Sequence, residues 1–149
     1  MTEINPEHSV GFLVGRIDHL MKIHINTFLS EESIQLSSEK LSILMVLAHL
    51  PSAKSMGPLA ELLGRDPTTL KRQLDSLVKA ALVIREPSPT DRRVVVISIT
   101  SKGKNLVQQT MPMTLALQER AMSHISESDA QILRKSLSQM LHNLKEGVL

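Results

Sequence analysis

Between Val10 and Phe28 the apolar residues Val10, Leu13, Val14, Ile17, Leu20, Met21 and Phe28 recur at helical spacing, which lays them along one side of a long first helix. Polar residues from Ser30 to Ser33 break the pattern. Leu36-Ser37-Ser38-Glu39 then offers a hydroxyl cap and a first-turn acid ahead of Leu41, Leu44, Leu47 and Ala48. This predicts a second helix from about Ser38 to His49, which Pro51 cannot extend. A short Ser/Lys-bearing loop leads to Gly57-Pro58, the opening of a third helix about seven residues long, with Leu59, Leu62 and Leu63 apolar and Gly64 as its stop. Asp66-Pro67 follows as the cap and first residue of a fourth helix. There Leu70, Leu74, Leu77, Val78 and Ala81 form one inward stripe, opposite Thr68, Thr69, Lys71, Arg72, Gln73, Asp75, Ser76 and Lys79.

Two extended pieces come next, Leu82 to Arg85 and Val94 to Ile99, with Val95, Ile97 and Ile99 on one face of the second. The connection Glu86 to Arg93 contains two prolines that exclude a ladder inside it, so the pair reads as a hairpin with a long basic tip. Thr100 caps a fifth helix from about Ser101 through Leu106 to Met122, kinked at Pro112. Ser126-x-x-Asp129 caps a sixth, with Leu133, Leu137, Met140, Leu141 and Leu144 as its stripe. The expected fold class is mostly α with a small β-hairpin wing: a winged helix-turn-helix flanked by N- and C-terminal dimerisation helices. One domain over 1–149 is expected, with the winged helix-turn-helix part at 35–103 and the dimerisation helices at 1–34 and 104–149. The apolar stripes of the first, fifth and sixth helices lie outside the compact 35–103 part and need a partner to cover them.

Composition narrows the chemistry. A chain of 149 residues that is 42% hydrophobic can build one core unaided. Cysteine is absent, which excludes disulfides, thiolate zinc sites, a Cys nucleophile and thiol-based sensing. Phe12 and Phe28 are the only aromatic residues, too few to stack the bases of a single strand. The six histidines include no pair at i, i+4 and no H-E-x-x-H, so no metal site is assigned. No nucleophile elbow, phosphate-cradling glycine loop or dinucleotide fingerprint occurs, so neither an enzyme nor a cofactor is expected. The first residues lack the character of an export signal, and no run of about 18 uncharged apolar residues could cross a bilayer. A cytoplasmic protein without membrane contact is expected.

Net charge is only +2, but it is unevenly spread. Residues 51–103 carry nine Lys/Arg against five Asp/Glu, and the rest of the chain eight against ten. Positive potential is thus concentrated on the helix-turn-helix and hairpin, as phosphate binding requires. A major groove about 12 Å wide admits one helix, whose first two turns meet base edges. Thr68, Thr69, Lys71, Arg72 and Gln73 occupy those turns and are the expected major-groove set. Arg92 and Arg93, at the hairpin tip, suit the negative potential of a narrow minor groove. Asp91 is expected to orient the Arg93 guanidinium, and Arg65 to meet a phosphate.

These residues carry a family likeness. Asp91-Arg-Arg-Val-Val-Val-Ile-Ser-Ile-Thr100-Ser-Lys-Gly103 resembles the D-x-R-x5-[LI]-T-x-x-G wing pattern of the MarR/SlyA family of transcriptional regulators. Leu74 to Arg85 resembles the end of that family's recognition helix, and Leu36-Ser37 its L-[TS] opening. The resemblance implies an obligate homodimer on a pseudo-palindromic operator in double-stranded DNA, usually a repressor released by a small-molecule effector, often phenolic or an aromatic acid. It also implies that Arg93 is the minor-groove arginine and Asp91 its partner. Ala81 departs from the pattern, which has glycine at the turn into the wing; a positive φ there would add strain of roughly 1 kcal/mol. The rival readings are a winged helix used as a protein-interaction module and a metal-sensing relative. Effector-binding residues are not legible.

Overall fold

A computed structural model of the chain describes residues 5–50 and 54–146. A single 3-10 turn, Pro6–His8, precedes α1 (Val10–Glu31) and α2 (Ser38–His49). Then follow β1 (Lys54–Ser55), α3 (Met56–Leu63), α4 (Pro67–Lys79), β2 (Val83–Pro87), β3 (Val95–Ile99), α5 (Ser101–Ala121) and α6 (Glu127–Glu146). Two compact units divide the chain between Thr114 and Leu115, within α5.

The core of the first unit joins Ile43, Leu44 and Leu47 of α2, Leu59 and Ala60 of α3, and Leu70, Leu74 and Leu77 of α4 to Leu82, Val83, Ile97 and Val107. Each leucine removed from water contributes about 1.5–3 kcal/mol, so the helix-turn-helix is held by its own leucine stripe rather than by ion pairs. The strands form an antiparallel sheet in the order β1-β3-β2. Within it Val83 faces Ile99, Arg85 faces Ile97 and Pro87 faces Val95. Asn26 ties α1 to α2 by accepting the Ser38 amide hydrogen on its side-chain oxygen at 2.8 Å. Farther toward its N-terminus α1 leaves Val10, Phe12, Leu13, Val14, Ile17, Leu20 and Ile23 between 42% and 54% exposed in the single chain.

In the second unit Ser126 accepts the Asp129 amide hydrogen at 3.1 Å and donates to the Asp129 carboxylate at 2.8 Å, a reciprocal cap for α6. That helix exposes Ile132, Leu133, Leu141 and Leu144.

Several expectations are corrected. The inward stripe of α4 stops at Leu77: Val78 is 38% exposed, and Ala81 lies beyond the helix end in a left-handed turn with φ 59°. Five positions at apolar spacing cannot by themselves show where a helix ends. The ladder also runs farther than the prolines suggested, through Glu86 and Pro87, and the Ser88 amide donates to the Val94 carbonyl at 2.7 Å. β2 is an edge strand, so the missing amide of Pro87 interrupts no bond to a neighbour on its other side. Lys54–Ser55, expected as loop, pairs with Ile97 and Val96 of β3; two residues have no periodicity to read. α1 continues past Phe28 to Glu31, burying Leu29, before Ser33 turns with φ 56°.

Candidate nucleic-acid interface

The turn between α3 and α4 is built by two backbone devices. Gly64 closes α3 at φ 61° and ψ 38°, and the amides of Gly64 and Arg65 donate to the carbonyls of Glu61 and Ala60 at 3.1 and 2.9 Å. An L side chain resists that conformation, which is why glycine stands there. Asp66 then caps α4, its carboxylate accepting from the Thr68 and Thr69 amides at 3.1 and 2.9 Å. The Thr69 hydroxyl and these amides hold the Asp66 carboxyl below the usual carboxylate range. Pro67 occupies the first helical position, where no amide is needed.

With Leu70, Leu74 and Leu77 buried, 100° per residue places Thr68, Arg72, Asp75 and Lys79 along the outward centre of α4. Thr68, Lys71 and Arg72 are exposed, while Thr69 and Gln73 are half-buried on its flank. Asp75 sits in this basic row but is paired with Arg85 of β2. The pair offsets the one acid on the face and binds α4 to the wing.

Arg65 is not splayed toward solvent. Its Nη1 donates to the Glu39 carbonyl at 2.9 Å and to Gln73 Oε1 at 3.2 Å, and its Nη2 donates to Ser42 Oγ at 2.6 Å. Burial pushes its pKa below the ordinary value, with Glu39 opposing the shift. The structure therefore places the expected phosphate contact in a brace between α2 and α4. A second brace, Lys40 Nζ donating to Ser76 Oγ at 2.8 Å, joins the same helices. Neither brace was legible in the sequence, because Glu39 and Ser42 lie 26 and 23 residues from Arg65, and Lys40 lies 36 residues from Ser76.

At the wing tip Arg92 and Arg93 are exposed, and among the described residues neither guanidinium has a hydrogen-bonding or ionic partner. Asp91 does orient this end of the hairpin, but through the backbone: its Oδ1 accepts the Arg93 amide hydrogen at 3.0 Å, and the Val94 amide donates to the Asp91 carbonyl at 3.0 Å. This corrects the expected grip on the Arg93 guanidinium. A carboxylate two residues upstream in a tight turn lies nearest the main chain.

The same motif has a second cluster at the wing base. Thr100 Oγ1 donates to the Ala81 carbonyl at 2.8 Å and accepts the Gly103 amide hydrogen at 3.1 Å, and Lys102 Nζ donates to the Ala80 carbonyl at 2.9 Å. A Cβ on Gly103 would fall 2.6 Å from Ile99 Cγ1 and closer still to the Leu82 carbonyl oxygen. Thr100 and Gly103 thus hold the hairpin root against α5, while Asp91 to Arg93 form its free end.

Residues 36–95 match the sequence profile of the MarR family. The HTH-type transcriptional regulator YhbI of Bacillus subtilis strain 168 is 31% identical over 105 residues, which span 70% of this chain and 68% of that protein. The chain belongs to the MarR family. Among solved structures, that of CouR from Rhodococcus jostii RHA1 bound to p-coumaroyl-CoA superposes with a TM-score of 0.81 at 22% identity, covering 93% of this chain and 96% of that one. The S. aureus MepR–DNA complex superposes with a TM-score of 0.78 at 24% identity, over 91% and 98%. At these identities the likeness establishes the winged-helix fold. As a MarR-family member the chain is a transcriptional regulator, and its α3–turn–α4 unit and β2–β3 hairpin are that family's helix-turn-helix and wing. Among the described residues no helix is long and apolar enough to cross a membrane, and no group of three or more His, Asp or Glu side chains is gathered for a metal.

Proposed function

We propose that the chain is a sequence-specific regulator that binds double-stranded DNA as a homodimer on a pseudo-palindromic operator, in the cytoplasm, as a ligand-responsive repressor. The carrying observation is the outward row of α4 together with the unpaired Arg92 and Arg93 at the wing tip: two sets of exposed donors on one small, well-packed unit. Thr68, Thr69, Lys71, Arg72 and Gln73 enter the major groove, and Arg92 and Arg93 approach the flanking minor groove. Asp91 shapes the loop that presents them. The S. aureus MepR complex shows that a protein of this fold holds DNA.

Dimerisation rests on the exposed apolar residues of α1, with those of α6 as a further contribution; in water, stripes of this length persist only when covered. Residues 1–34 and 104–149 are the dimerisation parts of one domain whose DNA-binding part is 35–103. Two-fold symmetry then sets paired recognition helices about 34 Å apart, one DNA turn. Effector control requires a molecule that favours a dimer with misplaced recognition helices over the DNA-ready form; CouR, a protein of this fold, has been solved with p-coumaroyl-CoA bound. An open groove of about 510 Å³ lined by Asn26, Ser30, Ser33, Ile34, Gln35, Leu36 and Ser37 has the hydroxyls, amides and apolar patches to seat a small phenol or aromatic acid.

Selection of bound duplexes from a random pool, with and without a panel of aromatic acids, tests the whole proposal. An inverted repeat lost on adding one of the acids is expected. A stable monomer in light scattering, or no enrichment of any duplex at low salt, overturns it.

A further inference from the structure

Arginine has five N–H donors and no acceptor, so whatever atom its guanidinium touches at hydrogen-bond distance must accept. Three of the donors on Arg65 are directed to protein oxygens: Nη1 to the Glu39 carbonyl at 2.9 Å and to Gln73 at 3.2 Å, Nη2 to Ser42 Oγ at 2.6 Å. Ser42 Oγ in turn donates to the Glu39 carbonyl at 2.7 Å, which closes a ring of bonds on α2 and leaves the guanidinium little freedom. An otherwise ambiguous amide is thereby oriented. The Gln73 oxygen faces Arg65, so its Nε2 faces away, and among the described residues that nitrogen has no hydrogen-bonding partner. Gln73 is half-buried on the α2 side of the exposed row of α4, so only its outer end reaches a groove.

The geometry points to Arg65 as a positioning residue that fixes the polarity with which Gln73 reads DNA. This rests on the DNA-reading function proposed above. With its oxygen held, Gln73 reads by donating, which suits purine N7, guanine O6 or thymine O4, and it disfavours a pair that presents the cytosine amino group at that place. Free glutamine has no such bias, because it can rotate to accept. Arg65 therefore contributes to base preference without touching a base, and no phosphate contact is needed from it.

Binding-site selection and titration over a range of salt concentrations, on the full chain, separate the two roles. Gln73→Ala marks the base pair by flattening one position in each half-site. Arg65→Met is expected to reduce preference at that same pair about five-fold or more, with no further loss in the Arg65→Met/Gln73→Ala double variant. The slope of log affinity against log salt should stay at the wild-type value. A slope shallower by about one unit, or an unchanged preference at that pair, overturns the positioning role in favour of phosphate binding or of no role. Arg65→Lys keeps the charge but cannot form the fork, so it should behave as Arg65→Met; full rescue by lysine overturns the proposal. Should the Arg65 variants fail to fold, Gln73→Glu decides. A carboxylate paired to Arg65 turns an acceptor outward and should move preference toward cytosine, and retention of the original base overturns the proposal. If the wild-type chain binds no duplex, DNA reading itself fails, and the role of Arg65 in it falls too.

Discussion

Thr100 donates its hydroxyl hydrogen at 2.8 Å to the carbonyl of Ala81, a residue held in left-handed backbone at φ 59°. The bond captures the turn from recognition helix to wing at the point where a side-chain-bearing residue is strained. With the Thr100 amide donating to the Leu82 carbonyl at 3.1 Å, it aligns hairpin and α4 as one body.

Ala81→Gly should stabilise the protein, because glycine adopts this φ freely while losing some entropy on folding. The net gain is about 0.5–1 kcal/mol, or roughly 2 °C in Tm for a chain of this size. Thermal denaturation followed by circular dichroism reads it, and a lower Tm would show that Ala81 is not strained.

Gly103→Ala should do the opposite. Its methyl group would meet the Leu82 carbonyl and Ile99, and backbone cannot yield as a flexible side chain does. A loss of about 2–3 kcal/mol in urea unfolding is expected. A value within 0.5 kcal/mol of wild type, roughly the scatter of surface substitutions, would contradict the packing described.

Arg93→Ala should weaken operator binding several-fold while light scattering still reports a dimer. Asp91→Ala should weaken it less, since it loosens the loop through the Arg93 amide without removing a charge. Operator affinity unchanged in both variants, measured by fluorescence anisotropy, would remove the wing from the interface.

Arg72→Ala should relax base preference by about 1–3 kcal/mol at one position of each half-site, because Arg72 is exposed on the outward centre of α4. Recovery of the wild-type motif from a random pool by this variant would place Arg72 outside base readout.

The Asp66 cap sets a pH dependence. Its carboxyl is held below the usual range by Thr69 and Thr68, so it stabilises the fold at pH values above the unfolded pKa of about 3.9. That contribution disappears as pH falls through the lower, folded value. Wild type should therefore exceed Asp66→Ala in Tm at neutral pH and converge with it in acid. A gap that is constant from neutral to strongly acidic pH would argue against the ionised cap.

How much could be read in advance follows from the range of each interaction. α2, α3 and α4 were legible because their signals are local: Ser37 ahead of α2, Gly64 after α3, Asp66-Pro67 ahead of α4, and leucines spaced by one helical turn. The end of α4 was not, since Val78 and Ala81 continue the apolar spacing, whereas the chain turns at the left-handed Ala81, where the Leu82 amide donates to the Leu77 carbonyl at 3.0 Å and Thr100 holds the Ala81 carbonyl from nineteen residues away.

The candidate interface divides in the same way. By itself the sequence determined which side chains could serve DNA, because charge, hydroxyl and amide chemistry and their helical phase are properties of short segments. Only tertiary structure decided which of them are free to do so. Glu39 and Ser42, brought beside α4 by burial of the leucine core, occupy Arg65, and Arg85 from the wing occupies Asp75. Hydrogen bonds between distant segments leave no period in a sequence, since the hydrophobic packing that creates them fixes distances rather than spacings.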